Sequence, residues 1–227
     1  VAKATQGLAN YLLSEEEHPK VAISYDSRNR SREFAKISAR VLAANGIKVY
    51  IYSTLMPVPM LSFAVRNTGS SAGIMVTASH NPAKYNGYKV YGPDGCQMTS
   101  ESADKVLGEI NKLDIFKEKT IEYTPDSVIN AYYEWCLGQM MRKDIFKKEP
   151  LQLVYTPLNG AGNLPVRHVL KTAGLENISV VKEQEMPNGN FPTCPYPNPE
   201  IKEAMALGLE QAKREKADIL IATDPDC

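Results

Sequence analysis

The chain has 227 residues, 26 basic against 26 acidic, with 43% hydrophobic and 23% charged. That is enough length to bury a real core in one large domain or two ordinary ones. Its zero net charge gives no electrostatic reason for nucleic acid or an anionic membrane as partner, while leaving room for a local pocket for a phosphate.

Residues 21–25, VAISY, read as a buried strand. A helix follows, with Phe34, Ile37, Val41 and Leu42 on one stripe, Glu33 in its first turn and Asn45-Gly46 as its stop. The apolar run 47–52 is a second strand, and together these form a βαβ unit that favours a parallel pair with a right-handed crossover. Pro57 and Pro59 punctuate the entry to a short helix near 60–67. Strands at 72–77 and 87–91 come next, then helices near 100–112 and 126–142. Lys147-Lys148-Glu149-Pro150 is a polar break, after which the alternation restarts. The strands 151–156 and 178–182 flank a helix at 163–173 stopped by Gly174. A helix at 200–214 then carries Ile201, Ala204, Met205, Leu209 and Ala212 at helical spacing, and a strand at 217–223 closes the series. Two successive alternations predict two α/β domains of mixed or mostly parallel sheet flanked by helices, residues 1–147 and 148–227. The second is expected to be incomplete at its carboxyl end. Five prolines between Pro187 and Pro199 predict an extended, ordered loop, because proline resists both helix and central strand.

The four cysteines, Cys96, Cys136, Cys194 and Cys227, form no CxxC pair and read as free thiols in a reducing compartment. No apolar run approaches the ~18 residues of a membrane span, and no basic-then-apolar leader opens the chain. The expected location is the cytoplasm.

Two loops carry chemistry. The strand at 72–77 delivers Thr77-Ala78-Ser79-His80-Asn81-Pro82, where small neighbours leave a serine within reach of a bulky substrate. By itself this reads as a turn. Adjacent residues on an extended chain point apart, so Ser79-His80 is a poor nucleophile–base pair. The strand at 217–223 delivers Asp224-Pro225-Asp226. Two carboxylates two residues apart, spaced by a stiff proline, can face one hard cation such as Mg²⁺; by themselves they also read as a polar turn. Lys89 alone reads as a solvated strand residue, and Arg28 as a surface partner of Asp26. His18 and His168 read as structural or solvent-facing.

The longer string GIMVTASHNPAKYNGYKVYGPDG (73–95) resembles the active-serine segment of the α-D-phosphohexomutases, the phosphoglucomutase and phosphomannomutase family. So do VAISYDSRNRS (21–31), VYTPLNGAG (154–162), FPTCPYPNPE (191–200) and the final ATDPD. The resemblance implies an intramolecular phosphotransferase that interconverts hexose 1- and 6-phosphates through a phosphoserine and a bisphosphate intermediate. Ser79 would carry the phosphoryl group. His80 would assist beside it, and Lys89 and Arg28 would bring cationic charge to the phosphate. Mg²⁺ would be held by Asp224, Asp226 and Ser79 through its phosphate, with a bisphosphorylated sugar as activator and a sugar phosphate as substrate. The phosphoglucomutase-like branch is the leading expectation, with phosphomannomutase or phosphopentomutase next.

The family loop reads Asp-Pro-Asp-x-Asp-Arg, of which Asp224, Asp226 and the variable Cys227 are present. Asn159 stands where some members have histidine. The sequence is expected to be clipped at both ends, inactive alone and weak for Mg²⁺. Two other classes remain open on the residues: an aspartate-nucleophile phosphatase built on Asp224, and a non-catalytic sugar-phosphate-binding domain.

Overall fold

The computed structural model describes residues 1–112, 121 and 123–227. Its elements, in order, are α1 (Ala2–Glu15), β1 (Lys20–Tyr25), α2 (Ser31–Ala44), β2 (Lys48–Ile51), α3 (Val58–Thr68), β3 (Ala72–Val76), β4 (Tyr88–Tyr91), α4 (Ser100–Asn111) and α5 (Asp126–Gly138). There follow α6 (Ile145–Lys148), β5 (Leu153–Thr156), α7 (Asn163–Thr172), β6 (Ile178–Val180), α8 (Lys182–Glu185), α9 (Lys202–Glu215) and β7 (Ile219–Ala222). The chain forms two compact units. The first comprises Val1–Tyr25, Arg30–Thr77 and Gly87–Val128; the second comprises Asp26–Asn29, Ala78–Asn86 and Ile129–Cys227.

The first unit is built on a four-stranded sheet in the order β2-β1-β3-β4. β1 pairs in parallel with β2 and β3, while β4 returns antiparallel to β3. Strands covered on both faces read as continuous apolar runs, and β1 and β3 are buried almost end to end. Their core gathers Leu8, Val21, Ile23, Leu42, Ile51 and Ile74. On α2 the fully buried face is Ala35, Ser38, Ala39, Val41 and Leu42, with Phe34 and Ile37 only half-buried. The expected stripe is therefore rotated. Small side chains let the helix lie close, and the Ser38 hydroxyl is satisfied by donating to Phe34 O at 3.0 Å and accepting from Thr5 Oγ1 at 3.1 Å.

The second unit holds an all-parallel sheet, β6-β5-β7, with a smaller core around Leu153, Tyr155 and Leu175. α5 stops at Gly138, short of the expected 142. Gln139 N and Met140 N close its end on Cys136 O and Leu137 O, a tightened last turn. β6 also ends early, at Val180, because the chain turns into α8. On α9 the buried positions are Ala204, Gly208 and Gln211, whereas Leu209 of the expected stripe is exposed. Gln211 tolerates burial because its amide donates to Ser179 Oγ at 2.9 Å. The proline-rich segment 187–199 forms no helix or strand, as expected. Thr156 and Ala222 are register partners, so the loops after β5 and β7 leave the same carboxyl edge side by side. That edge is where open α/β sheets place chemistry.

Candidate active site

The loop Ala78–Asn86 opens with a tight turn, Asn81 N donating to Ala78 O at 3.0 Å. Ser79 sits within it at φ 54°, in the left-handed region. A non-glycine residue there is strained and persists only where its surroundings hold it. Part of that hold is its own side chain, since Ser79 Oγ donates to Asp224 Oδ2 at 2.9 Å. His80 Nδ1 lies 3.9 Å from the same carboxylate oxygen, with its ring half exposed.

Asp224 and Asp226 follow β7 in a turn closed by Cys227 N donating to Asp224 O at 3.1 Å. Residues 157–162 after β5 support this turn. Ala161 N donates to Pro225 O at 2.9 Å. A Cβ on Gly160 would come 2.5 Å from Pro225 Cα, so only glycine lets the two loops touch backbone to backbone. Asn159, at φ 58°, anchors its own turn by donating through Nδ2 to Met186 O at 2.8 Å and Glu183 O at 3.3 Å. Asn159 is thus a loop brace. Gly160 and Asn159 were missed as site-shaping residues; the signal available was two glycines in a short loop at a strand end.

The third arm is the turn Asp26–Asn29. Asp26 Oδ1 accepts Arg28 N at 3.0 Å, a local Asx turn. Asp26 Oδ2 pairs with Arg28 Nε at 3.2 Å, both side chains fully buried. The guanidinium then reaches across the serine loop: Nη1 donates to Pro82 O and Tyr85 O, both at 3.1 Å, and Nη2 to Asn81 O at 2.6 Å and to Ser79 O. The structure thus brings Ser79, His80, Arg28, Asp224 and Asp226 together within the second unit. Lys89 belongs to the first unit, half-buried on β4 opposite Met75. His168 stacks on Tyr133 at 4.1 Å between ring centroids, and His18 is exposed beside Glu17.

Electrostatics mark the aspartate loop. Burial, then the neighbouring charge of Asp226, push the Asp224 carboxyl up to about 6, against the lowering effects of Ser79 and His80. Burial also pulls the Arg28 guanidinium below its ordinary value, opposed by Asp26, Asp226 and Asp224. The charges of Asp26, Asp226 and Asp224 all bear on this one buried guanidinium. Among the described residues no set of three His, Cys, Asp or Glu side chains closes on a metal position. Even so, the donors suit a hard dication: two crowded carboxylates and a serine oxygen, with a mutual repulsion that a cation would relieve.

The comparisons with known proteins concern the family and the fold. Residues 1–116 match the model of phosphoglucomutase/phosphomannomutase α/β/α domain I, and residues 131–227 match that of domain II. The chain belongs to the phosphoglucomutase/phosphomannomutase family. All of it aligns with a Staphylococcus haemolyticus phosphoglucomutase at 39% identity and with a Haemophilus influenzae protein named a probable phosphomannomutase at 36%. It spans 43% and 48% of those relatives' lengths, respectively. A crystal structure from Thermus thermophilus, named provisionally as a phosphomannomutase, superposes with a TM-score of 0.88 at 26% identity, over 99% of this chain and 50% of that one. The expected fold class and family are therefore met. No helix among the described residues is long and apolar enough to cross a membrane.

Proposed function

We propose that the full-length protein is a phosphohexomutase of the phosphoglucomutase-like branch, exchanging phosphate between the 1- and 6-positions of a hexose in the cytoplasm, with Ser79 as the phosphoryl carrier. The observation that carries this reading is Ser79 Oγ held at 2.9 Å from Asp224 Oδ2 in a left-handed turn. The string around Ser79, residues 73–95, resembles the family's active-serine segment. Of the two domains expected from the sequence, residues 1–147 supply the serine segment and residues 148–227 the metal loop.

The phosphoryl group leaves Ser79 Oγ for a free sugar hydroxyl, giving a bisphosphorylated sugar. The other phosphate of that sugar then returns to the same oxygen, so a bisphosphorylated sugar also serves as activator. Phosphoryl transfer depends chiefly on positioning and on positive charge over the equatorial oxygens. Ser79, through its phosphate, Asp224 and Asp226 would hold Mg²⁺, which supplies that charge when bound. His80, 3.9 Å from Asp224, moves or holds a proton beside the serine oxygen. Lys89 neutralises the phosphate, and Arg28 fixes the loop. The 227-residue chain alone is inactive, because it supplies the serine end of a reaction that holds a bisphosphate at two ends.

The test is a coupled assay of the full-length protein with glucose 1-phosphate, Mg²⁺ and a trace of glucose 1,6-bisphosphate, run in parallel with mannose 1-phosphate. Glucose turnover exceeding mannose turnover supports the reading. Turnover of neither sugar contradicts it.

A further inference from the structure

Arg28 is a charged side chain with no exposure to solvent, and an ion buried that deeply is retained only where its donors are satisfied. A guanidinium offers five N–H groups in a fixed fork. Four point at the carbonyls of Ser79, Asn81, Pro82 and Tyr85, and the Nε faces Asp26. The four Nη donors are therefore committed to the serine loop, while Nε lies in ion-pair contact with Asp26 Oδ2 at 3.2 Å rather than in a hydrogen bond. A peptide's C=O and N–H point in opposite directions, so drawing these carbonyls inward turns the N–H groups of His80, Ala83 and Asn86 away from Arg28.

The underside of Arg28 is equally shaped. Its Cζ lies 5.2 Å from the Phe191 ring centroid. Phe191 is 1% exposed and sits at φ 47°, a strained setting for a bulky residue. Two residues earlier, a Cβ on Gly189 would fall 2.5 Å from Asn29 N and 2.9 Å from Arg28 C. Asn29 Nδ2 donates to Asn190 Oδ1 at 2.9 Å. The opening of the proline-rich segment thus lies flush against the backbone that carries Arg28.

We propose that Arg28, seated on the Gly189–Phe191 turn, is a positioning residue whose planar fork fixes the backbone of residues 79–85 and keeps Ser79 left-handed with its Oγ toward Asp224. This rests on the reading of Ser79 as phosphoryl carrier. It gives the segment around Gly189 and Phe191 a part in catalysis through loop shape. Lysine cannot reproduce a fork over four carbonyls, because an ammonium carries three donors on a flexible stem; loss of a cation acting only on the phosphate would slow turnover and leave exchange across residues 79–86 unchanged.

The experiment compares Arg28→Lys, Arg28→Ala and Gly189→Ala in the full-length protein by steady-state kinetics and by hydrogen exchange at residues 79–86. Arg28→Lys should lower kcat as far as Arg28→Ala does, by about 10²-fold, with little change in KM, the usual cost of about 1 Å of misplacement. Gly189→Ala should lower kcat in the same direction. Exchange across 79–86 should quicken in all three, while β5 and β7 keep their protection. Arg28→Lys turnover near wild type, or loop exchange unchanged in Arg28→Lys and Gly189→Ala, overturns the proposal. If Arg28→Lys does not fold, Gly189→Ala decides it. If the wild-type protein turns over no hexose phosphate, the functional reading fails, and the exchange measurement still decides whether the clamp exists.

Discussion

The serine loop and the aspartate loop meet at the Ser79–Asp224 hydrogen bond, yet they are shaped by opposite means. The serine loop is held from outside by a buried cation that gathers its carbonyls. The aspartate loop is held by bare backbone, with Gly160 against Pro225 and Ala161 N on Pro225 O. The contrast follows from the charge each loop is proposed to hold. A loop that carries a phosphate can rest on a guanidinium. A loop whose carboxylates await a cation keeps its shape through glycine contact, which adds no charge of its own.

The comparison breaks most severely at the serine itself. Ser79→Ala in the full-length protein should abolish turnover, by more than about 10³-fold, as loss of a covalent nucleophile does, while circular dichroism shows an unchanged fold. Turnover within tenfold of wild type would remove the serine from its role. Next in size, Lys89→Ala should slow single-turnover phosphoryl transfer by about 10²-fold, the usual cost of one charge stabiliser; unchanged transfer with only a raised KM makes Lys89 a binding residue.

The glycine-shaped loop should respond in stability. Gly160→Ala forces a methyl onto Pro225 and should cost about 1–3 kcal/mol, read as a lower urea midpoint, together with weaker Mg²⁺ binding. An equal midpoint would show that the two loops part easily.

The smallest effect concerns pH. With Asp224 pushed up to about 6, protons compete with Mg²⁺, so calorimetry should find binding about tenfold weaker at pH 5 than at pH 7.5. Without metal the sign runs the other way. A carboxyl raised above its unfolded value binds its proton more tightly when folded, so its contribution to stability is present at low pH and is lost as pH rises through about 6. Asp224→Asn should flatten both trends.

The strands and both chemical loops were legible because they rest on local signals: apolar runs, a serine or aspartate at a strand end, and an unusual string around each. The helix faces were less so. Periodicity selects the largest apolar residues, Phe34 and Ile37 on α2 and Leu209 on α9, whereas close packing against a sheet selected Ala35, Ala39 and Gly208. Taken alone, Arg28 beside Asp26 reads as a surface pair and only the family resemblance brings it to the serine as a cation, because its four carbonyl partners lie more than fifty residues away along the chain. Gly189 was hidden for the same reason.

The central claim is that Ser79 carries the phosphoryl group, and tandem mass spectrometry of the full-length protein after incubation with glucose 1,6-bisphosphate and Mg²⁺ tests it directly. Phosphate on the peptide containing Ser79, localised to that residue and absent from Ser79→Ala, is the predicted result. Phosphate on Asp224, or on no residue of the wild-type protein, would contradict it.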